Sequence, residues 1–122
     1  MEERIVIGVL IVDDHRLVRA GIERMLGEVK GIEVHPSVDS GEAAVEAVRT
    51  RRPDVVLMDV NMRGMGGLEA TRRILRIDPD IKIIALTVYE GEPFPAQMLE
   101  AGAVGYVTKG ADVRELVSAI RK

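Results

Sequence analysis

The chain has 122 residues, the size of one ordinary domain, and 47% of them are hydrophobic, which favours a folded core over disorder. Because it contains no cysteine, disulfides and thiolate metal sites are both excluded. The formal charge of −3 argues weakly against direct nucleic-acid binding, and no apolar run reaches the roughly 18 residues that a membrane span requires. We therefore expect a single cytoplasmic domain over residues 1–122 that contacts no membrane.

Strand-like and helix-like segments alternate five times along the chain. The predicted strands span residues 5–12, 32–38, 55–58, 81–86 and 105–108. The predicted helices span residues 17–26, 41–50, 68–77, a short segment from about 95 to 102, and 112–120. Pro36 lies inside the second strand and favours an edge position for it. Ser40 and Asp112 are the predicted N-caps of the second and fifth helices.

The alternation of strand and helix is typical of an α/β fold with a parallel sheet and helices on both faces. The right-handed crossover rule limits the possible topologies. We adopt, rather than derive, the flavodoxin-like (βα)5 arrangement with strand order 2-1-3-4-5. In that order the first and third strands lie side by side, and the fourth and fifth follow on one side.

Polar side chains stand where four of the apolar strands end. They are Asp13 and Asp14 after the first strand, Asp59 after the third, Thr87 after the fourth and Lys109 after the fifth. In an open α/β sheet, ligands bind outside the carboxyl ends of the strands. Three carboxylates, a hydroxyl and an ammonium at that edge indicate a site for a divalent cation and a phosphoryl group.

The chemistry of these groups agrees with that interpretation. Three neighbouring carboxylates repel one another, and a hard cation with oxygen ligands, Mg²⁺ rather than a transition metal, relieves the repulsion. A carboxylate can attack phosphorus and form an aspartyl-phosphate. Lys109 can neutralise the phosphoryl charge, and Thr87 can donate a hydrogen bond to one of its oxygens.

Each of these residues also has a simpler explanation when it is taken alone. An aspartate pair after a strand is often just a helix cap, and Asp14 is expected to serve both as cap and as ligand. Taken alone, Lys109 would be interpreted as a solvated surface charge. Tyr106 would be interpreted as a half-buried aromatic residue of a strand. His15 is most simply structural or solvent-facing, since no His/Cys pair supports a zinc site.

Five separated motifs, in order and in spacing, resemble the receiver domain of two-component response regulators over the whole chain. They are Asp13-Asp14, Leu57-Met58-Asp59, Met65-Gly66-Gly67, Leu86-Thr87 and Lys109. Further stretches resemble the subgroup of the NarL and GacA type, in which the receiver precedes a LuxR-type helix-turn-helix. These are Val12-Asp13-Asp14-His15, Leu17 to Gly21, Gly67 to Arg72, and Gly105 to Gly110.

The resemblance implies a Mg²⁺-dependent phosphoacceptor that takes a phosphoryl group from a histidine kinase onto Asp59. Mg²⁺ would be bound by the side chains of Asp14 and Asp59, by the backbone carbonyl of Asn61, and by Asp13 through water. The domain would catalyse only its own phosphorylation and dephosphorylation, and would not be an enzyme toward other substrates.

The resemblance also implies a switch. Thr87 and Tyr106 match the hydroxyl–aromatic pair that reports phosphorylation, and the output surface would comprise the fourth helix, the fifth strand and the fifth helix. The expected output is control of transcription. A DNA-binding output domain in a longer chain and a homodimer partner both remain open, as does the question whether the chain ending at Lys122 is a stand-alone receiver or a fragment.

Three positions depart from the broad family pattern. Arg63 stands where proline usually follows Met62, so the loop is expected either to be looser or to bring its guanidinium toward the acidic cluster. Gly110 follows Lys109 where proline is common. Val88 follows Thr87 where alanine or serine is frequent, and a larger side chain there is expected to narrow access to Asp59 and slow phosphotransfer.

Two other functional classes compete with a phosphorylated signalling domain. A hydrolase or phosphotransferase with an aspartate nucleophile usually needs a second catalytic aspartate shortly afterwards, and Asn61 at the plus-two position disfavours turnover. A pseudo-receiver that only binds partners is disfavoured because Asp59, Thr87 and Lys109 are all present.

Overall fold

The protein is described by a computed structural model over residues 5–88 and 94–122. Its strands form one parallel five-stranded sheet in the order 2-1-3-4-5, so the adopted topology is confirmed. The strands are β1 (Ile7–Val12), β2 (Ile32–Val34), β3 (Val55–Asp59), β4 (Lys82–Thr87) and β5 (Gly105–Thr108). The helices are α1 (Arg16–Gly27), α2 (Gly41–Thr50), α3 (Gly67–Ile77), α4 (Phe94–Ala101) and α5 (Val113–Arg121). Within these ranges, no helix is long and apolar enough to cross a membrane.

The second strand is shorter than its apolar run predicts. It pairs with β1 from Ile32 to Val34, and the His35 amide still donates to the Val9 carbonyl oxygen at 2.9 Å. One extra residue at Pro36–Ser37 then breaks the register, so that Val38 donates to the Ile11 carbonyl oxygen at 3.0 Å. The chain returns to β1 at a single bridge between Val38 and Val12. The strand lies at the edge of the sheet, as the proline indicates.

The alternation of side chains along the strands builds two separate cores. On one face of the sheet, Leu10 and Val12 pack with residues of α2 and α3, and Met98 of α4 joins them. On the other face, Val9 and Ile11 pack with residues of α1 and α5. Both faces of the sheet are therefore covered by helices, and the edge at the carboxyl ends of the strands is left for polar groups.

Local capping agrees with the sequence at two helices and differs at a third. Ser40 accepts a hydrogen bond from the Ala43 amide at 3.1 Å, and Asp112 accepts one from the Glu115 amide at 3.0 Å. The expectation that Asp14 caps α1 is wrong. The N-cap is His15, which makes no side-chain cap bond, and its amide donates to Asp13 Oδ1 at 2.8 Å. The carboxylate two residues upstream thus takes the local turn bond.

Glycine at the start of α3 allows the helix to lie against the end of β3. A methyl group at Gly67 would overlap the carbonyl oxygen of Asp59, whereas one at Gly21, on the exposed side of α1, would meet nothing within 4 Å. The first turn of α3 therefore contacts the backbone of Asp59 directly, and only glycine permits that approach.

Gly67→Ala is expected to destabilise the domain by about 1–3 kcal/mol, because either α3 or Asp59 must move to remove the overlap. Gly21→Ala, the matched control, is expected to stabilise it by about 0.4–1 kcal/mol through helix propensity and lower chain entropy. Urea unfolding of both variants measures the two free energies. Equal effects of the two substitutions would contradict the close approach at Gly67.

Candidate functional site

Two aspartates meet at the adjoining ends of the central strands. Val12 of β1 pairs in register with Met58 of β3, so the following residues, Asp13 and Asp59, lie side by side. Their exposed fractions are only 0% and 2%. The strand order, which puts β1 next to β3, thus forces together two carboxylates that are 46 positions apart in the chain.

A single ammonium group lies between these two carboxylates. Lys109 Nζ is 2.8 Å from Asp13 Oδ2 and 3.2 Å from Asp59 Oδ1. Its backbone amide donates to the carbonyl oxygen of Thr87 at 2.7 Å, which ties the residue after β5 to the end of β4. The lysine is largely buried, so it acts as a fixed positive charge rather than as a solvated one.

The cluster holds two carboxylates, Asp13 and Asp59, against the one ammonium group of Lys109. This imbalance shifts the pKa values of Asp59 and Lys109. Burial, and then the neighbouring charge of Asp13, raise the pKa of Asp59 to about 6, although Lys109 and the Asn61 amide act in the opposite direction. Burial alone would lower the pKa of Lys109, but its contacts with Asp13 and Asp59 outweigh burial and raise it. Additional positive charge would therefore be stabilising here.

The donor set fits a divalent cation. Ligand atoms of Asp13, Asp14, His15 and Asp59 all lie within 4.8 Å of one another. Their carboxylate oxygens are the ligands that hard cations prefer, and Lys109 is the only ammonium within 4.0 Å of them in the described part of the chain. The prediction that Asp13, Asp14 and Asp59 converge is confirmed, as far as their placement is concerned.

Two residues near this cluster were not predicted from the sequence to take part in it. His15 Nδ1 lies 3.0 Å from Asp14 Oδ1 and 3.2 Å from Asp13 Oδ1. Arg19, one turn into α1, donates from Nη1 to the carbonyl oxygen of Asp13 at 2.8 Å. His15 follows the aspartate pair directly, and that adjacency was the signal available. Arg19 offered none, since it depends on how α1 folds back over β1.

The loop after β3 is held from both ends. The Asn61 amide donates to Asp59 Oδ1 at 3.2 Å, and the Met65 amide donates to Glu42 Oε1 of α2 at 3.2 Å. Gly64 within the loop has a φ of 71°, in the left-handed region that glycine adopts without strain. The position of Asn61 relative to Asp59 is therefore fixed by the loop's own hydrogen bonds and by α2.

Arg63 lines a cleft of about 490 Å³ together with Asp14, His15, Asp39 and Ser40. It thus shares this cleft with two acidic residues, and the expected approach of its guanidinium to the acidic cluster stays a prediction. Among the residues that the structure describes, Arg63 forms no ion pair within 4.0 Å. A positive charge at the rim can attract an anionic ligand toward the cleft.

Thr87 and Tyr106 occupy different environments. The Thr87 side chain is buried at the end of β4, and its hydroxyl is 3.5 Å from the carbonyl oxygen of Val107, a long and weak hydrogen bond. Tyr106 on the edge strand β5 is 51% exposed. Val88, immediately after Thr87, is also exposed. The threonine hydroxyl is thus available to a stronger acceptor, whereas the tyrosine ring faces outward in this conformation.

Comparison with known proteins identifies the family of the chain. The sequence model of the response regulator receiver domain family matches residues 9–121. The chain is 58% identical to the response regulator GacA of Pseudomonas viridiflava over 115 residues, which are 94% of this chain and 54% of that protein. It is 57% identical to the response regulator UvrY of Escherichia coli K12 over 115 residues, 94% of this chain and 53% of that protein. The chain thus spans about half the length of these curated relatives.

Solved structures show the same architecture. A LuxR-family two-component response regulator from Aurantimonas sp. SI85-9A1 aligns with a TM-score of 0.87 and 39% identity, over 95% of this chain and 83% of that one. The receiver domain of a putative response regulator NarL from Mycobacterium tuberculosis aligns with a TM-score of 0.86 and 29% identity, over 95% and 94% of the two chains.

The fold, the strand-end carboxylates with their lysine, and the match over nearly the whole chain lead to one assignment. The chain belongs to the response regulator receiver domain family, and within that family its sequence is similar to the matched halves of GacA and UvrY.

Proposed function

We propose that this domain accepts a phosphoryl group on Asp59 from a histidine kinase, in a reaction that depends on Mg²⁺. The observation that carries the proposal is the contact of one buried ammonium, Lys109, with both Asp59 and Asp13. A nucleophilic carboxylate with a fixed cation at its side is what transfer of a negatively charged phosphoryl group requires. The family match over residues 9–121 supports the same assignment.

The two oxygens of Asp59 have different surroundings, which indicates the nucleophile. Oδ1 contacts Lys109 Nζ and accepts from the Asn61 amide, whereas Oδ2 is buried without a hydrogen-bond partner among the described residues. In the proposed reaction Oδ2 attacks phosphorus and forms the P–O bond. The P–N bond of the kinase phosphohistidine breaks, its electron pair stays on the imidazole nitrogen, and that nitrogen takes up a proton.

The domain's remaining polar residues have separate tasks in this proposal. The side chains of Asp14 and Asp59 and the carbonyl of Asn61 would bind Mg²⁺, with Asp13 acting through water. The cation would supply positive charge to the phosphoryl oxygens. Lys109 keeps its ammonium within reach of the same oxygens, and its raised pKa keeps it protonated at neutral pH.

The switch would pass through Thr87. Its hydroxyl has only a weak bond to the Val107 carbonyl, so a charged phosphoryl oxygen is a better acceptor and would draw it toward Asp59. This movement frees space near β5 and changes the room available to Tyr106. The resulting shift in conformation would alter the surface formed by α4, β5 and α5.

The output of the whole protein is also a proposal, because the relatives are about twice as long as this chain. We propose that the domain controls transcription through a DNA-binding output domain, directly or by pairing with a second receiver. The LuxR-family description of one structural neighbour and the GacA and UvrY relatives support this role.

In this scheme the receiver does not itself bind nucleic acid, is not an enzyme toward other substrates, and comprises residues 1–122. A cytoplasmic location stays a prediction.

Incubation with acetyl phosphate and Mg²⁺ is expected to add one phosphoryl group, detected by intact-mass spectrometry, to the wild type and to the matched control Asp80→Asn. Asp80 is exposed and lies between α3 and β4, away from the cluster. Asp59→Asn is expected to show no adduct. Many turnovers of the phosphodonor would instead indicate a phosphatase, and an unmodified wild type would indicate a pseudo-receiver.

Mg²⁺ is expected to raise the melting temperature of the wild type, because it binds the folded carboxylate cluster and not the unfolded chain. At a concentration 100 times the dissociation constant, the gain in the free energy of unfolding is about 2.7 kcal/mol. Asp14→Ala should abolish most of this gain, whereas Asp80→Ala should keep it. An identical Mg²⁺ shift in all three proteins would place the cation elsewhere.

In metal-free buffer, the Asp59 carboxyl should destabilise the fold as pH rises from about 4 to about 6. The unfolded carboxyl ionises near its ordinary pKa of 3.8, whereas the folded one retains its proton until about 6. The folded state therefore binds more protons in that interval, and its stability falls as pH rises. Asp59→Asn should be more stable than the wild type at pH 7 by on the order of 1–3 kcal/mol.

This pH effect is measured by urea unfolding in EDTA at a series of pH values. The stability difference between Asp59→Asn and the wild type should shrink as pH is lowered toward 4. The matched variant Asp80→Asn controls for the general loss of one carboxyl group. A difference that is constant with pH, or a less stable Asp59→Asn at pH 7, would show that Asp59 does not carry the raised pKa.

A further inference from the structure

We propose that Arg19 is a positioning residue for phosphorylation, because its guanidinium fixes the peptide group between Asp13 and Asp14. The inference rests on the proposed phosphoacceptor, Asp59, which these two aspartates adjoin. Nη1 of Arg19 donates a hydrogen bond to the Asp13 carbonyl oxygen at 2.8 Å. The residue is therefore one bond away from the cluster without contacting its carboxylates.

The Asp13 carbonyl lies where the sheet stops orienting the chain. The last register pair between β1 and β3 joins Val12 to Met58, so Asp13 is the first residue beyond the strand. Its amide still donates to the Val38 carbonyl oxygen at 3.1 Å, whereas its own carbonyl accepts from Arg19. A charged donor forms a stronger hydrogen bond than a neutral amide. The guanidinium thus extends the restraint of the sheet by one peptide group.

The place of Arg19 in α1 explains how it reaches that carbonyl. Its amide donates to the His15 carbonyl oxygen at 3.1 Å, which closes the first turn of the helix. Side chains on a helix are inclined toward its N-terminus, so a long one in the first turn extends back over the end of β1. Arg19 is half-buried and, in the part of the chain that the structure describes, forms no ion pair within 4.0 Å.

Holding this one oxygen restrains both aspartates. The Asp13 carbonyl and the Asp14 amide belong to the same planar peptide group, so neither can turn without the other. The Asp13 carboxylate contacts Lys109 Nζ at 2.8 Å, and the same ammonium lies 3.2 Å from Asp59 Oδ1. Rotation of the peptide would move these charges relative to the nucleophile. A misplacement of about 1 Å can lower a reaction rate by about 100-fold.

A simpler role for Arg19 would be to tether α1 to the end of β1. A tether of that kind lowers the free energy of unfolding when it is lost, but it leaves the folded molecules as reactive as before. A positioning residue instead changes the rate at which the folded molecules react. The two roles are separated by measuring the phosphorylation rate and the folded fraction of the same variants.

The test uses acetyl phosphate at saturating Mg²⁺, so that docking of a kinase does not enter, and follows the adduct by intact-mass spectrometry over time. Arg19→Met keeps the apolar stem but has no donor and no charge. It is expected to lower the maximal rate constant by about 10–100-fold. The acetyl phosphate concentration at half-maximal rate should stay unchanged, because the nucleophile and not donor binding is affected. Arg19→Lys can still donate to the carbonyl and should recover most of the loss.

Arg24→Met is the matched control, because it removes the same charge from an exposed position in the last turn of α1. It should react at the wild-type rate. Urea unfolding gives the folded fraction of each variant under the assay conditions. The ¹⁵N resonance of Asp14, whose amide shares the peptide group with the Asp13 carbonyl, should shift in Arg19→Met and not in Arg24→Met.

Three results would each overturn the role of Arg19 and leave the proposed function intact. They are a wild-type rate in Arg19→Met, a slower rate that its unfolded fraction fully accounts for, and equal losses in Arg19→Met and Arg19→Lys. A wild type that takes up no phosphoryl group would overturn the proposed function together with this inference.

Discussion

The contact of Lys109 with Asp13 and Asp59 is the interaction on which the rest of this domain depends. Two carboxylates placed side by side without solvent would be strongly unfavourable, and one buried ammonium relieves only part of that energy. The lysine is brought there by β5, whereas the aspartates end β1 and β3. The electrostatics of the site therefore require that the whole sheet be assembled in one order.

This incomplete neutralisation relates stability to function. A domain optimised only for stability would replace one carboxylate by a neutral group, and it would lose the proposed nucleophile or one of the proposed cation ligands. The raised pKa of Asp59 reflects the burial and the repulsion from Asp13 that Lys109 does not fully offset. A bound cation or a phosphoryl group that attracts Lys109 and Thr87 changes the charge balance locally, so ligand chemistry and folding free energy are coupled at the same atoms.

Much of the molecule could be predicted from the sequence because its signals are local. Apolar runs located the five strands, and the strand-end rule placed Asp13, Asp59 and Lys109 at one edge. The strand order itself was adopted by analogy, since periodicity does not specify which strands pair. The end of β2 differed because one extra residue after His35 shifts the register, so that Val38 and not Ser37 donates to Ile11.

The contacts that were missed share a different cause. Arg19 reaches the Asp13 carbonyl, and Glu42 holds the loop through the Met65 amide, only after helices have packed against the sheet. Asp14 was expected to cap α1, but the N-cap is His15, whose amide donates to Asp13 Oδ1. Such pairings depend on tertiary distances of a few ångströms, whereas a sequence pattern specifies only which face of an element a residue occupies.

The unequal packing on the two sides of Asp59 has a mechanical consequence. On the α3 side, Gly67 lies so close to the Asp59 backbone that the helix and the strand end must move as one body. On the β4 side, the buried Thr87 hydroxyl is restrained only by a bond of 3.5 Å to β5. If Asp59 is phosphorylated as proposed, the added charge would meet a rigid backbone contact on the α3 side and a weakly held hydroxyl on the β4 side. The Thr87 side chain, and not α3, is then the group expected to move, so the packing around Asp59 favours one direction of response over the other.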